Sequence, residues 1–253
     1  MTDEQKFLFD LHGYLLLPAV LPPEEADAVR EHVLAGGDGY HGPAQALLDH
    51  PAVTEILTEI LGGGREGEEW FYFRCENSFT TVRPCGWTPG QNGVPHGEAR
   101  NRVSTYWTDG HQIQSGLTRV VWELNPVEAG CGGTLFLAGS HKAAFPKPAA
   151  VRERENRHMR SYSCPAGSAL IFTESLWHAG ASWTHPDHPR VAIFNCYNAL
   201  SSQLHKQNLD PALIEAMPVK RQSLFRGVWV HDFTVRPHTE GANRRYSRQN
   251  QAQ

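Results

Sequence analysis

Two histidines and one carboxylate in this chain have the types and spacing of a metal-binding set. His96 and Glu98 lie two residues apart in the segment Val-Pro-His-Gly-Glu-Ala-Arg, and His178 follows in Ser-Leu-Trp-His-Ala-Gly. Two imidazoles and one carboxylate hold non-haem Fe(II) while leaving coordination positions open for other ligands. The trio therefore predicts a metal site at which oxygen could be activated.

The predicted pairing of His96 with Glu98 depends on an extended backbone. In an extended segment residues i and i+2 point to the same side, and Gly97 between them would keep the approach uncrowded. His-x-Glu is also a common pattern, and the chain has fourteen histidines. His111 is an alternative first ligand, but Ile113 stands at its i+2 position, so His111 has no paired carboxylate.

Arg190 opens the apolar run 190–197, twelve residues after His178. A guanidinium that points into the interior from such a run is costly unless a carboxylate pairs with it. A 2-oxoacid cosubstrate could supply that carboxylate through two parallel hydrogen bonds. The alternative is that Arg190 sits at the mouth of the strand, solvated or paired with Asp187.

The spacing of apolar residues predicts helices at both ends of the chain and strands between them. The predicted helices are Glu4–Leu11, Pro22–Leu34, Ala52–Leu61, Pro211–Met217 and Val219–Phe225. The predicted strands are Trp70–Arg74, Ser78–Val82, Arg102–Trp107, Thr118–Leu124, Gly133–Ala138, Met159–Ser163, Ser168–Phe172 and Arg190–Tyr197. This order predicts a mainly β fold with flanking helices, a sandwich or jelly roll.

Composition narrows the class of protein and of partner. A length of 253 residues fits one domain, with a helical segment 1–64 and a C-terminal helical extension and tail 205–253. The net charge of −4 gives no general attraction for nucleic acid or for an anionic membrane. Five cysteines without CxxC spacing indicate reduced thiols. We therefore expect a cytoplasmic protein, a monomer or weak homo-oligomer, acting on a small molecule.

Three segments carry a family resemblance. They are Phe9–Glu25, Val121–Lys142 with its Gly-Ser-His-Lys ending, and His178–Arg190. Together they resemble the phytanoyl-CoA dioxygenase family, and the similarity covers residues 7–200.

The resemblance implies a cupin-like double-stranded β-helix that binds Fe(II) and 2-oxoglutarate and uses O2. His96 and His178 match the two histidine ligands of the family, and Glu98 stands where an Asp is usual. Arg190 matches the arginine that binds 2-oxoglutarate, whereas His141 is expected to stabilise a turn. The implied activity is that of a dioxygenase, an oxidoreductase that hydroxylates a C–H bond and releases succinate and CO2.

Five further residues are candidates for binding the cosubstrate, each with an ordinary structural alternative. They are Asn77, Thr81, Arg83, Tyr106 and Trp122. Three other functions stay open at this stage: a halogenase-like variant if Glu98 does not bind iron, a non-catalytic metal-binding jelly roll, and a cupin-like isomerase that needs no oxygen.

Overall fold

The protein was analysed as a computed structural model, which describes residues 1–65, 67–90, 95–97, 104–154 and 156–228. The α-helices are α1 (Asp3–His12), α2 (Pro23–Leu34), α3 (Pro51–Ile60), α4 (Ala149–Arg152), α5 (Pro211–Glu215) and α6 (Val219–Gln222). The strands are β1 (Tyr14–Leu17), β2 (Phe73–Arg83), β3 (Trp107–Thr108), β4 (Ile113–Gln114), β5 (Thr118–Glu123), β6 (Thr134–Phe136), β7 (Ser168–Thr173), β8 (His178–Gly180) and β9 (Arg190–Ala199). Short 3-10 helices cover Gly42–Leu48, Ser140–Lys142 and Ser223–Phe225.

The N-terminal helices begin and end where local chemistry favours it. Thr2 caps α1 by accepting a hydrogen bond from the Gln5 amide, and the Gln5 side chain bonds back to the Thr2 amide. Gly13 ends the helix at a φ of 82°, a left-handed conformation that glycine adopts without penalty. α3 starts with Pro51 at its first position and buries Val53, Ile56, Leu57 and Ile60 along one face.

The main sheet has five antiparallel strands in the order β1-β7-β5-β9-β2. One face packs against the N-terminal helices, and this core includes Val29, Leu57, Trp122, Ile171 and Ile193. β5, β7 and β9 are buried along nearly their whole length, because both of their faces are covered.

A smaller sheet covers the other face. It pairs β6 with β8 and is extended by single bridges from His96 to His178 and from Phe136 to Arg160. Phe136 from this sheet packs into an apolar cluster with Val121, Leu170, Phe172 and Phe194 of the main sheet. Two antiparallel sheets around such a core form a jelly roll, one of the two folds that the strand pattern predicts and the double-stranded β-helix that the family resemblance implies.

Several predicted elements are corrected by the structure. Trp70–Arg74 and Ser78–Val82 contribute to one continuous strand, β2, which runs through a bulge between Cys75 and Asn77. Within Met159–Ser163 the structure has only the single bridge at Arg160. β1 lies inside the segment predicted to be helical, and β8 was not predicted. Part of the predicted strand Arg102–Trp107 falls outside the described residues.

Among the residues that the structure describes, no helix has both the length and the apolar character required to cross a membrane.

Candidate metal and anion site

The site lies on the face of the main sheet that looks toward the smaller sheet. Cross-strand neighbours share a face, and β5 places Arg119, Val121 and Glu123 on this side, because they are opposite Phe172, Leu170 and Ser168 of β7. On the other side of β5, Glu123 is opposite Ala192 of β9, and Ala192 is in turn opposite Thr81 of β2. Arg190, two residues before Ala192, lies on the same face, opposite Arg83. Charged groups therefore occur at both ends of a mostly apolar surface.

His178 begins β8 and is almost fully buried. Its Nδ1 lies 2.7 Å from the Leu176 carbonyl oxygen, and this contact requires Nδ1 to carry the proton. Nε2 is then the lone-pair nitrogen, the form in which imidazole binds a metal. Burial lowers the pKa of His178 to about 4, so the ring is neutral at physiological pH.

His96 reaches His178 through the backbone. The two residues exchange amide-to-carbonyl hydrogen bonds of 2.9 and 2.8 Å, and their ring centroids are 4.2 Å apart. Gly97 makes this approach possible, because a Cβ on Gly97 would lie 2.2 Å from the Leu176 carbonyl oxygen. Gly97 also has a φ of 120°, which side-chain-bearing residues rarely adopt.

A carboxylate, that of Glu174, lies beside the two histidines, and the sequence did not predict it. His96, Glu174 and His178 each offer one ligand atom, and these atoms lie within 4.8 Å of one another. Glu174 lies in the turn between β7 and β8, where the Leu176 amide bonds to the Thr173 carbonyl oxygen at 3.0 Å. Glu98, the predicted carboxylate, lies outside the described residues.

Arg119 holds the Glu174 carboxylate. Its Nε donates to Glu174 Oε1, and its Nη1 donates to Asn77 Oδ1 at 3.0 Å. The other oxygen, Oε2, is 3.8 Å from Nε2 of His178. Burial alone would raise the pKa of Glu174, but His178 and Arg119 outweigh it, so that its pKa is lowered and the group is ionised.

Arg190 lies fully buried at the far end of this face. Its Nε donates to Glu123 Oε2 at 3.1 Å, its Nη2 donates to Glu123 Oε1, and Nη2 also donates to the Tyr162 hydroxyl at 3.1 Å. Burial opposes the charge, but Glu123 and Tyr162 outweigh it and raise the pKa of Arg190. Nη1 of Arg190 is buried and has no hydrogen-bond partner among the residues that the structure describes. The alternative prediction, that Arg190 is solvated at the mouth of the strand, is therefore wrong.

Arg83 brings a second guanidinium to the same end. It lies over the Trp87 ring at 4.2 Å, and its Nη1 is 3.5 Å from the Ala181 carbonyl oxygen. Burial and the nearby charge of Arg190 lower the pKa of Arg83 to about 10, which leaves it protonated at neutral pH. Two guanidiniums and one carboxylate leave this end of the face with a net positive charge.

The remaining predicted site residues divide between the two faces. Asn77 and Thr81 lie on the site face, Asn77 as the acceptor for Arg119 and Thr81 opposite Ala192. Trp122 lies on the opposite face of β5, in the core under the helices, with its ring 5.3 Å from that of His50. Tyr106 donates to Asp10 Oδ1 at 2.7 Å and packs beside α1, so the structure brings neither Trp122 nor Tyr106 to the trio.

Two other histidines considered in the sequence, His111 and His141, lie away from the trio. His111 is exposed in the turn between β3 and β4, where its amide bonds to the Asp109 side chain at 2.8 Å. His141 is buried, and its Nε2 lies 3.0 Å from the Asp10 carbonyl oxygen at the end of α1. His141 thus ties the Ser140–Lys142 turn to the first helix.

Comparisons with known proteins give matches in structure alone. No model of a protein family matches the chain, and a search of curated proteins gives no significant match. HygX from Streptomyces hygroscopicus with nickel, 2-oxoglutarate and hygromycin B bound is 16% identical, with a TM-score of 0.68, over 83% of this chain and 92% of that chain. HygX with iron bound is 17% identical, with a TM-score of 0.68, over 92% of this chain and 97% of that chain.

A second type of neighbour is SnoN, a non-heme alpha ketoglutarate dependent epimerase from nogalamycin biosynthesis. It is 15% identical, with a TM-score of 0.56, over 91% of this chain and 93% of that chain. At these identities the likeness shows that the chain shares the fold of these proteins.

Proposed function

We propose that this protein is an Fe(II)- and 2-oxoglutarate-dependent oxygenase, an oxidoreductase that hydroxylates a C–H bond of a small molecule. The observation that carries the proposal is the grouping of His96, Glu174 and His178, whose ligand atoms lie within 4.8 Å of one another. The resemblance to the phytanoyl-CoA dioxygenase family and the iron and 2-oxoglutarate bound by HygX support it.

The donor set fits iron. Two imidazoles with a carboxylate suit non-haem Fe(II), whereas structural zinc sites are usually closed by four ligands. The Leu176 carbonyl fixes the tautomer of His178, as the partners of metal-binding histidines generally do. His96 is exposed, which leaves one side of the site open to a substrate.

The opposite end of the face fits the free carboxylate of 2-oxoglutarate. Within the described part of the chain, the buried Nη1 of Arg190 has no hydrogen-bond partner, and Arg83 adds a second positive charge beside it. A carboxylate there would complete the hydrogen bonds of Arg190 and balance the net charge left after its pairing with Glu123. Arg190 and Arg83 would thus bind and orient the cosubstrate.

Iron and 2-oxoglutarate, when bound, supply the oxidation of a C–H bond by O2 with succinate and CO2 as coproducts. The residues of this chain hold and orient the reactants around them. Phe79 and Phe194 stack at 4.9 Å on the site face beside Arg119, and Phe79 is 45% exposed, so an apolar surface faces the approaching substrate. The hygromycin B bound to HygX supports a small molecule as the substrate class.

A non-catalytic jelly-roll module is the second candidate, and one observation favours it. Glu123 already provides Arg190 with a bidentate carboxylate partner, so Arg190 can be stable without any cosubstrate. The two candidates differ in a measurable way, because only the oxygenase consumes 2-oxoglutarate in an oxygen-dependent manner.

The test is an anaerobic titration with Fe(II) and 2-oxoglutarate, followed by exposure to O2. We expect a weak visible charge-transfer band, and then succinate formation even without the substrate. His178→Ala should abolish both signals, whereas the control His111→Ala, at an exposed histidine away from the site, should keep them. Folded wild-type protein that gives neither band nor succinate contradicts the proposal, as does turnover that survives in His178→Ala.

A further inference from the structure

We propose that Gly180 and Trp87 position the guanidinium of Arg83, and that this position decides how tightly the free carboxylate of 2-oxoglutarate binds. The inference rests on the proposed function, because it concerns the end of the site face assigned there to that carboxylate. It goes further by giving roles to two residues that the sequence did not single out. Both act through Arg83 and are positioning residues.

Arg83 has more hydrogen-bond donors left for a ligand than Arg190 has. Among the residues that the structure describes, the only hydrogen bond of Arg83 runs from Nη1 to the Ala181 carbonyl oxygen at 3.5 Å, close to the limit for such a bond. Arg190, by contrast, gives its Nε and Nη2 to Glu123 and keeps only Nη1. An incoming carboxylate therefore finds more N–H groups on Arg83 than on Arg190.

Arg83 and Arg190 are directly opposite each other in the pairing of β2 with β9. Like charges at opposite positions destabilise a sheet, and burial together with the charge of Arg190 lowers the pKa of Arg83. Glu123 neutralises one of the two guanidiniums, and a bound carboxylate would neutralise the other. The register of the sheet thus favours an anion between these two side chains.

Gly180 provides the space that the Arg83 guanidinium occupies. It lies in β8 two residues after His178, so both positions face the same side of the strand. A Cβ on Gly180 would lie 2.9 Å from Nη1 and 3.0 Å from Nη2 of Arg83, whereas such atoms make contact at about 3.5 Å. Thr134, opposite Gly180 in β6, accepts a hydrogen bond from Nη2 of Arg190 at 3.4 Å. A side chain at position 180 would therefore displace Arg83 beside the contacts of Arg190.

Trp87 covers the Arg83 guanidinium, with the Arg83 Cζ atom 4.2 Å from the centre of its ring. A cation this close to the face of a tryptophan is attracted by the ring. The backbone around Trp87 is itself fixed, since the Trp87 carbonyl oxygen accepts from the Trp183 amide at 2.8 Å and the Gly86 amide donates to the Trp183 carbonyl oxygen at 3.0 Å. Trp183 is fully buried, so this attachment gives Trp87 a rigid base.

The experiment measures 2-oxoglutarate binding by calorimetry on the whole protein loaded with Co(II), under nitrogen, so that no turnover is needed. Co(II) is a divalent ion that binds the same types of ligand as Fe(II). Gly180→Ala should raise the dissociation constant of 2-oxoglutarate about tenfold, because it weakens a hydrogen bond between charged groups. Trp87→Leu should raise it about fivefold, and Trp87→Phe should stay within about twofold of wild type, because it keeps an aromatic face.

The matched control is Gly90→Ala. Gly90 has open space around it and, like Gly180, no left-handed φ, so the backbone accepts alanine at both positions. The control should bind 2-oxoglutarate and Co(II) as wild type does. The affinity for Co(II) alone should also match wild type in Gly180→Ala and Trp87→Leu, which shows that these variants are folded.

A double-variant cycle separates action through Arg83 from a general loss of packing. In the Arg83→Met background, Gly180→Ala and Trp87→Leu should cause no further weakening of 2-oxoglutarate binding, because the group that they position is gone. A residue with only a structural role would weaken binding by the same factor with and without Arg83.

The outcomes separate this inference from the proposed function. Wild-type affinity for 2-oxoglutarate in Gly180→Ala or in Trp87→Leu overturns the role of that residue and leaves the oxygenase proposal intact, as does equal weakening in the Arg83→Met background. A folded wild-type protein that binds Co(II) but no 2-oxoglutarate contradicts the proposed function, and the inference falls with it.

Discussion

Removal of the Glu123 carboxylate should destabilise this protein more than any exposed charge change. Glu123 and Arg190 are both fully buried and share two hydrogen bonds. In Glu123→Gln the guanidinium keeps the Tyr162 hydroxyl, at 3.1 Å, but loses its opposite charge in a dry environment. Breaking a buried pair by removing one partner costs about 3–5 kcal/mol.

This loss is large compared with the free energy of unfolding of a whole domain. A folded domain is stable by about 5–15 kcal/mol, so the variant should lose roughly a third of its free energy of unfolding. Urea unfolding at pH 7, followed by the fluorescence of the seven tryptophans, measures it. The midpoint should fall with little change in slope, because the surface exposed on unfolding stays the same.

Two controls test whether the loss of stability comes from the unpaired buried charge. Asp27→Asn removes a carboxylate from an exposed pair with Arg30, 2.6 Å apart, and should cost under about 1 kcal/mol. The double variant Glu123→Gln with Arg190→Met removes both charges and should recover most of the lost stability. A loss below about 1 kcal/mol in Glu123→Gln, or no recovery in the double variant, would refute the reasoning.

Three further outcomes are expected. Gly97→Ala should weaken Co(II) binding about tenfold or more, because the added Cβ would lie 2.2 Å from a carbonyl oxygen, whereas Gly36→Ala, at a φ of 86° with open space around it, should leave binding unchanged. Burial lowers the pKa of His141 to about 4, so below pH 6.5 the unfolded chain binds a proton that the folded protein does not. The free energy of unfolding, measured in urea, should therefore fall between pH 6.5 and pH 4. His141→Phe should lose about 3 kcal/mol less than wild type over this range. Arg83→Met should raise the dissociation constant for 2-oxoglutarate about tenfold with unchanged Co(II) affinity, and equal weakening of both ligands would count against its role beside Arg190.

The strands of the main sheet could be predicted because they are buried on both faces. β5, β7 and β9 appear in the sequence as nearly continuous apolar runs, which is typical of strands covered on both sides. The same property explains why Trp122 was wrongly predicted to bind the cosubstrate. When both faces are apolar, the pattern does not say which side chains meet the helices and which meet the smaller sheet.

Other parts of the site could not be derived from pattern. β8 has three residues and pairs mainly with β6, so its existence depends on distant pairing rather than on a local run. Glu174 lies in a turn, where neither the helical nor the strand period says which way a side chain points. Its proximity to His96 depends on a bridge between two segments far apart in the chain.

That bridge implies that a metal ion bound there would also stabilise the fold. His96 and His178 are 82 residues apart in sequence, so an ion bound by both would join two segments that only folding brings together. An ion that binds only the folded chain stabilises it by mass action, by about 2.7 kcal/mol when the free metal concentration is about 100 times the dissociation constant. The stability of the folded protein would then rise with the concentration of free metal ion, which urea unfolding with and without Co(II) would measure.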